Sequence, residues 1–115
     1  MTVTRAADAS PRAANGARAA REMQPHALKA AELLKALANE QRLMIVCHLI
    51  HGPLSVSQLN ERVPLSQSAL SQHLAVLRES GIVRTERESQ TIWYSLPAGV
   101  VRRLIAVLHG EFCKR

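Results

Sequence analysis

Aromatic residues are almost missing from this 115-residue chain: Trp93, Tyr94 and Phe112 are the whole set. So few rings argue against a stacking platform for single-stranded nucleic acid. No apolar run approaches the roughly 20 residues that a membrane helix needs. The N-terminus has no apolar core of the secretory kind, so the expectation is a cytoplasmic protein with no membrane partner. Cysteine is confined to Cys47 and Cys113, and in a reducing compartment a permanent structural disulfide is not expected. There is no CxxC motif and no catalytic spacing of histidine and carboxylate, which leaves a thiol oxidoreductase a distant reading and predicts no enzyme. At this length one domain is expected, with room for a layer of helices but not for a deep catalytic core.

Positive charge, by contrast, is plentiful. Lys and Arg number 15 against 9 Asp and Glu, for a net charge of +6 and a pI near 10.4. Such a balance favours a polyanionic partner, nucleic acid first, although many small soluble proteins share it. Residues 1–22 are mostly Ala, Arg, Ser, Thr and Gly, and their only large apolar residues are Met1 and Val3. They bury too little to offset the entropy of ordering and are expected to form a disordered tail. Residues 23–115 form the expected folded domain. Within it Pro25 suits the first turn of a helix carrying Leu28, Ala31, Leu34 and Ala38 on one stripe. Asn39 caps a second helix running to about His51, whose stripe is Leu43, Val46, Cys47 and Ile50, widened by Met44, Ile45 and Leu49. Gly52-Pro53 ends it. Ser55 and Gln58 make a capping box for a short third helix, and Pro64-Leu65 turns the chain into a fourth.

The fourth helix organises the rest. In LSQSALSQHLAVLRESG, Leu65–Gly81, the residues Ala69, Leu70, His73, Leu74 and Leu77 have the spacing of a buried stripe. Gln67, Ser68, Ser71, Gln72 and Ala75 repeat that spacing on the opposite side. That second row is short, uncharged and rich in hydrogen-bonding groups, as suits approach to base edges in a major groove. A polar surface helix with no partner has the same pattern. Ser66 caps its start, and Gly81 supplies the left-handed residue beyond its end. Two helices joined by so tight a turn, the second with a polar row, read as a helix-turn-helix.

After Gly81 the period becomes two. Ile82–Thr85 and Thr91–Leu96 read as strands around a charged tip, Glu86-Arg87-Glu88-Ser89-Gln90. A hairpin in this place reads as a wing, and Arg84, Arg87 and Gln90 are its candidate contacts to phosphate or minor groove. Glu86 and Glu88 fit a merely solvated turn equally well. Pro97 is expected to start a final helix, with Val101, Leu104, Ile105, Leu108 and Phe112 in a narrow apolar arc. Together with the first helix it is the candidate dimer surface; packing on its own domain is the plainer alternative. The fold expected is mainly α with a small β-hairpin: a winged helix-turn-helix of about five helices and a two-stranded wing, homodimeric.

This order of elements resembles the ArsR/SmtB family of bacterial repressors. LLKALANEQRLMIV is similar to the family's second helix, SQSALSQHLAVLRESGIV to its recognition helix and WYSL to its second wing strand, so the resemblance spans roughly Ala30 to Leu96. It implies a homodimer on double-stranded operator DNA that is released by a chemical signal. Metal-sensing members carry a cysteine pair where this chain has Val56-Ser57-Gln58, or Asp and His pairs where its last helix offers only His109 and Glu111. No metal or other cofactor is therefore expected. One cysteine in the second helix, another near the end of the last, and the ending LHGEFCKR resemble the BigR/SqrR-like branch that senses sulfane sulfur (persulfide). The resemblance thus implies Cys47 and Cys113 as a redox-sensing pair whose oxidation lowers operator affinity. A metal-responsive or general redox-responsive repressor is the alternative, with His48 and His51 beside Cys47 and with Cys113 or His109 as further ligands. His73 reads as a boundary residue and His26 as part of a helix start. The family's usual glycine in the wing tip is Ser89 here.

The two cysteines differ chemically. Lys114 and Arg115 favour a thiolate at Cys113, while the negative end of the helix dipole opposes it. Burial on the apolar stripe is expected to raise the thiol pKa of Cys47. Without the resemblance, Cys47 reads as a small core hydrophobe and Cys113 as a frayed terminal residue.

Overall fold

The computed structural model describes residues 10–113, which fall into two compact units divided after Glu32. The first holds helix α1 (Pro11–Met23), a 3₁₀ turn (Gln24–His26) and the start of α2 (Ala27–Leu37). Ser10 Oγ accepts the Ala13 amide at 3.1 Å and Pro11 opens the helix. Residues 11–22 are thus helical where the sequence predicts a disordered tail, with Ser10 as the N-cap; residues 1–9 lie outside the described residues. The difference is physical. The case for disorder rested on burial, and no residue of α1 is buried. A cap and a run of Ala and Arg, both strong helix formers, make the helix locally instead. Pro25 sits in the 3₁₀ turn rather than in the first turn of α2.

The second unit is a winged helix-turn-helix. Ala36 and Leu37 end α2, and α3 (Glu40–His48), β1 (Leu54–Ser55), α4 (Val56–Arg62), α5 (Gln67–Glu79), β2 (Arg84–Glu88), β3 (Thr91–Ser95) and α6 (Val100–Phe112) follow. Helices α2 to α6 are the five that the sequence leads one to expect. The core gathers Ile45, Val46 and Leu49 with Leu59, Leu70, Leu74, Leu77 and Ile82, all essentially without solvent contact. The caps are the expected ones. Asn39 Oδ1 accepts from Gln41 and Arg42, and Ser55 and Gln58 bond reciprocally at 3.2 and 3.0 Å.

Three expectations are corrected. The sheet has three strands in the order β1-β3-β2, because Leu54 and Ser55 pair with Tyr94 and Trp93. The hairpin tip is only Ser89-Gln90, since Glu86, Arg87 and Glu88 pair with Trp93, Ile92 and Thr91. Finally, α6 begins at Val100 with Gly99 at its N-cap, three residues beyond Pro97.

Candidate nucleic-acid interface and cysteine cleft

Burial fixes how α5 is presented. Leu70, Leu74 and Leu77 are sealed in the core, each stabilising the packed orientation by roughly 1.5–3 kcal/mol. The opposite row must then face water, and Gln67, Ser68, Ser71 and Gln72 are all exposed. Ser66 Oγ accepts the Ala69 amide at 3.1 Å and lies 3.3 Å from Ser68 Oγ. Asn60 holds the preceding turn by donating to the Leu65 carbonyl at 2.9 Å. At the far end Ile82 donates to Leu77 and Gly81 to Arg78, with Gly81 at φ 75°; this is a Schellman motif, with Ile82 and Leu77 in the core as its apolar contact.

Arg42 braces α5 against α3. Its Nε donates to the Ala36 carbonyl at 2.6 Å and its Nη1 lies 3.3 Å from His73 Nδ1. Arginine only donates, so Nδ1 is the accepting atom in this contact. His73 is half-buried at the edge of the core, the boundary role expected of it.

The polar row continues further than the sequence reading took it. Ser71, Ala75, Arg78 and Glu79 line a groove of about 380 Å³ with Tyr94 of the wing. Arg78 is seven residues beyond Ser71 and so on the same helical line; that spacing was the available signal for a phosphate-contact candidate. The wing residues do not gather. Strand alternation puts Arg87 on one face with Tyr94, toward this groove. Arg84 shares the other face with Glu86 and Trp93. Gln90, at the tip, lines a shallow hollow with Ser55, Val56 and Ser57. Ser89 occupies the first central position of the two-residue turn at φ 59°, where a glycine is unstrained; this accounts for the family's preference.

Helix α3 corrects the placement of Cys47. Its buried residues are Ile45 and Val46, with buried Leu49 at its C-cap, and Cys47 is exposed rather than part of the core. A helix apolar on most sides does not declare which side the core will take. Cys47 instead lies on the wall of an open cleft of about 630 Å³, with Ile50 and His51 beside it and Arg102, Ile105, Ala106, His109 and Gly110 of α6 opposite. Residues 102, 106, 109 and 113 follow the i, i+4, i+7, i+11 spacing of one helix face; the α6 residues of the cleft lining run to Gly110, and Cys113 follows as the C-cap of the helix. Its amide donates to the His109 carbonyl at 2.8 Å, and its thiol is exposed. Lys114 and Arg115 lie outside the described residues.

Partial burial in the cleft wall pushes the Cys47 thiol above its ordinary pKa, and the charge of the Cys113 thiolate pushes it further. Arg102 closes the floor of the cleft: Nη1 donates to the Ile50 carbonyl at 2.8 Å, and Nε and Nη2 to the Leu96 carbonyl at 3.2 and 2.9 Å. Nothing in the local sequence around Arg102 signals this role, because Ile50 is 52 residues away. Of the histidines, His51 and His109 line the cleft, and among the described residues no three His, Cys, Asp or Glu side chains gather as a metal site.

The profile described as "Bacterial regulatory protein, arsR family" matches residues 39–85. The transcriptional activator HlyU of Vibrio cholerae is 50% identical over 93 residues, which cover 81% of this chain and 86% of that protein. The chain belongs to the arsR family. Another arsR-type relative, the biofilm growth-associated repressor of Xylella fastidiosa, is 42% identical over 92 residues, 80% of this chain and 81% of that protein. The structure of reduced HlyU from Vibrio cholerae superposes with a TM-score of 0.75 at 50% identity, covering 82% of this chain and 99% of that one. The transcriptional repressor BigR from Xylella fastidiosa gives 0.75 at 41% identity, over 83% and 97%. The arsR membership makes the chain a DNA-binding transcription regulator, and the likeness to BigR supports the BigR/SqrR-like branch. Among the described residues no helix is long and apolar enough to cross a membrane.

Proposed function

We propose that this protein is a homodimeric, operator-binding repressor whose DNA affinity falls when sulfane sulfur oxidises Cys47 and Cys113. The observation that carries the reading is the cleft: Cys47 on one wall and Arg102, Ala106 and His109 of α6 on the other, with Cys113 one turn further along that helix at its C-cap. The DNA-reading surface is Gln67, Ser68, Ser71 and Gln72, with Arg78 and Arg87 as phosphate contacts; Arg84 and Gln90 are weaker candidates because they sit on the far face and at the tip. Residues 23–115 carry both DNA binding and dimerisation. The names of the two relatives cover both activation and repression. Repression is the simpler device, since a bound dimer need only occlude a promoter.

The chemistry balances with a persulfide as oxidant. One cysteine thiolate attacks the outer sulfur of R–S–SH; the S–S bond breaks, R–S⁻ leaves, and the protein carries Cys–S–SH. The second thiolate then attacks the inner sulfur and expels HS⁻, leaving a disulfide. Two cysteine sulfurs are oxidised and the sulfane sulfur is reduced to sulfide. A further equivalent of persulfide lengthens the bridge instead, and so tolerates a wider pair. That the Vibrio cholerae relative was captured in a form named as reduced fits a regulator with two redox states.

Gel-shift titrations of wild type, Cys47→Ser and Cys113→Ser with and without a persulfide donor test the switch. All three proteins bind operator when reduced, and only wild type releases it on treatment. Release by Cys113→Ser shows that the two-cysteine bridge is not the switch. Release by a metal salt or by peroxide, but not by persulfide, favours the metal or general-oxidant reading.

A further inference from the structure

The cleft has a charge of its own. Among the described residues its lining contains Arg102, His51 and His109 and no carboxylate. Arg102 is half-buried, and the three hydrogen bonds it makes all go to backbone carbonyls. Those bonds hold the guanidinium in place without neutralising it. Among the described residues three of its five N–H donors are used, which leaves two for a ligand. Ile50, Ile105 and Ala106 give the rest of the wall an apolar, compact surface. At about 630 Å³ the cleft is far larger than a hydrosulfide ion or a peroxide requires, and within the range of small-molecule sites.

We propose that this cleft is a recognition site for the body of an organic persulfide carrying a carboxylate, so that the protein selects its sulfur donor by charge before any sulfur is transferred. The inference rests on the two-cysteine reading and adds the class of donor. The carboxylate is held by the free N–H donors of Arg102 with His51 and His109 alongside, and the carbon chain lies on Ile50, Ile105 and Ala106. That pose brings the S–S bond beside Cys47 and the Cys113 end of α6. When a cysteine thiolate takes the outer sulfur, the departing R–S⁻ adds a second negative charge, which the same guanidinium stabilises. A neutral or cationic donor gains neither effect.

Three persulfides of similar size test this: those of 3-mercaptopropionate (anionic), 2-mercaptoethanol (neutral) and cysteamine (cationic). The readout is the initial rate of cysteine modification by mass spectrometry on reduced full-length protein. The anionic donor is expected to react at least tenfold faster than the cationic one, with the neutral donor between. Ala106 is exposed on the cleft wall, so Ala106→Glu places a carboxylate there, one turn from the guanidinium of an unaltered Arg102. It should remove most of the anionic preference, read as the ratio of the anionic to the neutral rate within the same variant. Ser57→Glu, the same charge change at an exposed position outside the cleft lining, should leave the preference intact. Equal rates for the three donors overturn the inference, as does an equal effect of the two glutamates, which would trace the preference to net charge. Charge-selective modification that leaves operator binding unchanged overturns the two-cysteine switch while the donor site stands. Equal modification by all three donors with full release of operator does the reverse.

Discussion

Replacing Ser66 separates the stability of the recognition helix from its contact with DNA. Its hydroxyl accepts one amide, that of Ala69 at 3.1 Å, and the site is exposed. Ser66→Ala therefore loses a cap worth about 1 kcal/mol and makes no cavity. In a domain of this size that lowers the melting temperature by about 4–8 °C. Gln67 and Ser68 sit in the turn that frays. If DNA must re-form that turn at two half-sites, the dimer loses up to about 2 kcal/mol, roughly 30-fold in affinity. Ser66→Asp keeps the cap, and its charge suits the helix N-terminus. It should melt at or above wild type, yet bind operator more weakly with a shallower salt dependence, because a carboxylate now faces phosphate. Calorimetry gives the first quantity; fluorescence anisotropy on labelled operator at several salt concentrations gives the second. A Ser66→Asp protein with wild-type affinity and salt slope would show that the first turn of α5 does not lie at the DNA.

Val107 is 68% and Leu108 40% exposed on the outer side of α6, so Val107→Glu and Leu108→Glu should each give folded monomers by sedimentation with weakened operator binding. Leu104 packs on its own core and is the poorer probe of assembly. Ser89→Gly should stabilise the wing by about 1 kcal/mol by relieving the left-handed turn, read as a higher denaturation midpoint. Burial first, and then the Cys113 charge, raise the pKa of Cys47; alkylation of Cys47 should therefore have its pH midpoint above that of an ordinary thiol and be slow at neutral pH. Cys113→Ser removes the second cause and should move that midpoint down, and an unchanged midpoint would deny that the two sulfurs interact.

What the sequence made legible was mostly local. Asn39, Ser55 with Gln58, Ser66 and Gly81 each act on backbone groups within a few residues, so the bond is visible in the spacing itself. The buried leucines of α5 were equally clear, because the helix has a polar side to contrast with them. The illegible parts depend on distant partners or on missing contrast. Leu54 and Ser55 are too short a strand to recognise until Tyr94 and Trp93 pair with them. Glu86, Arg87 and Glu88 resemble a turn because four of the five residues of β2 are exposed and no alternation survives. Cys47 sits on a helix so apolar that the core could have taken another side. Arg102 has a role only because the chain brings the Ile50 carbonyl to it.

Helix α6 offers a route from the proposed bridge to the DNA, because its faces are separate. Val101 and Ile105 enter the core, Arg102, Ala106 and His109 face the cleft, and Val107 and Leu108 remain uncovered. A bridge at Cys113 therefore acts on a different face from the one offered to a second subunit. Arg102, tied to Ile50 and Leu96, is the natural pivot. From residue 102 to residue 113 the helix advances about 16 Å, so drawing its end about 2 Å toward Cys47 tilts it by about 7°. Each recognition helix lies about 17 Å from the dimer axis when the two fit grooves about 34 Å apart. A 7° turn at that radius displaces it by about 2 Å. Hydrogen bonds to base edges do not survive such a shift, since their useful range spans only about 0.5 Å. The tilt need not unfold anything. It has only to make both half-sites impossible to satisfy at once, and a coupling of about 1–3 kcal/mol then suffices to release the operator.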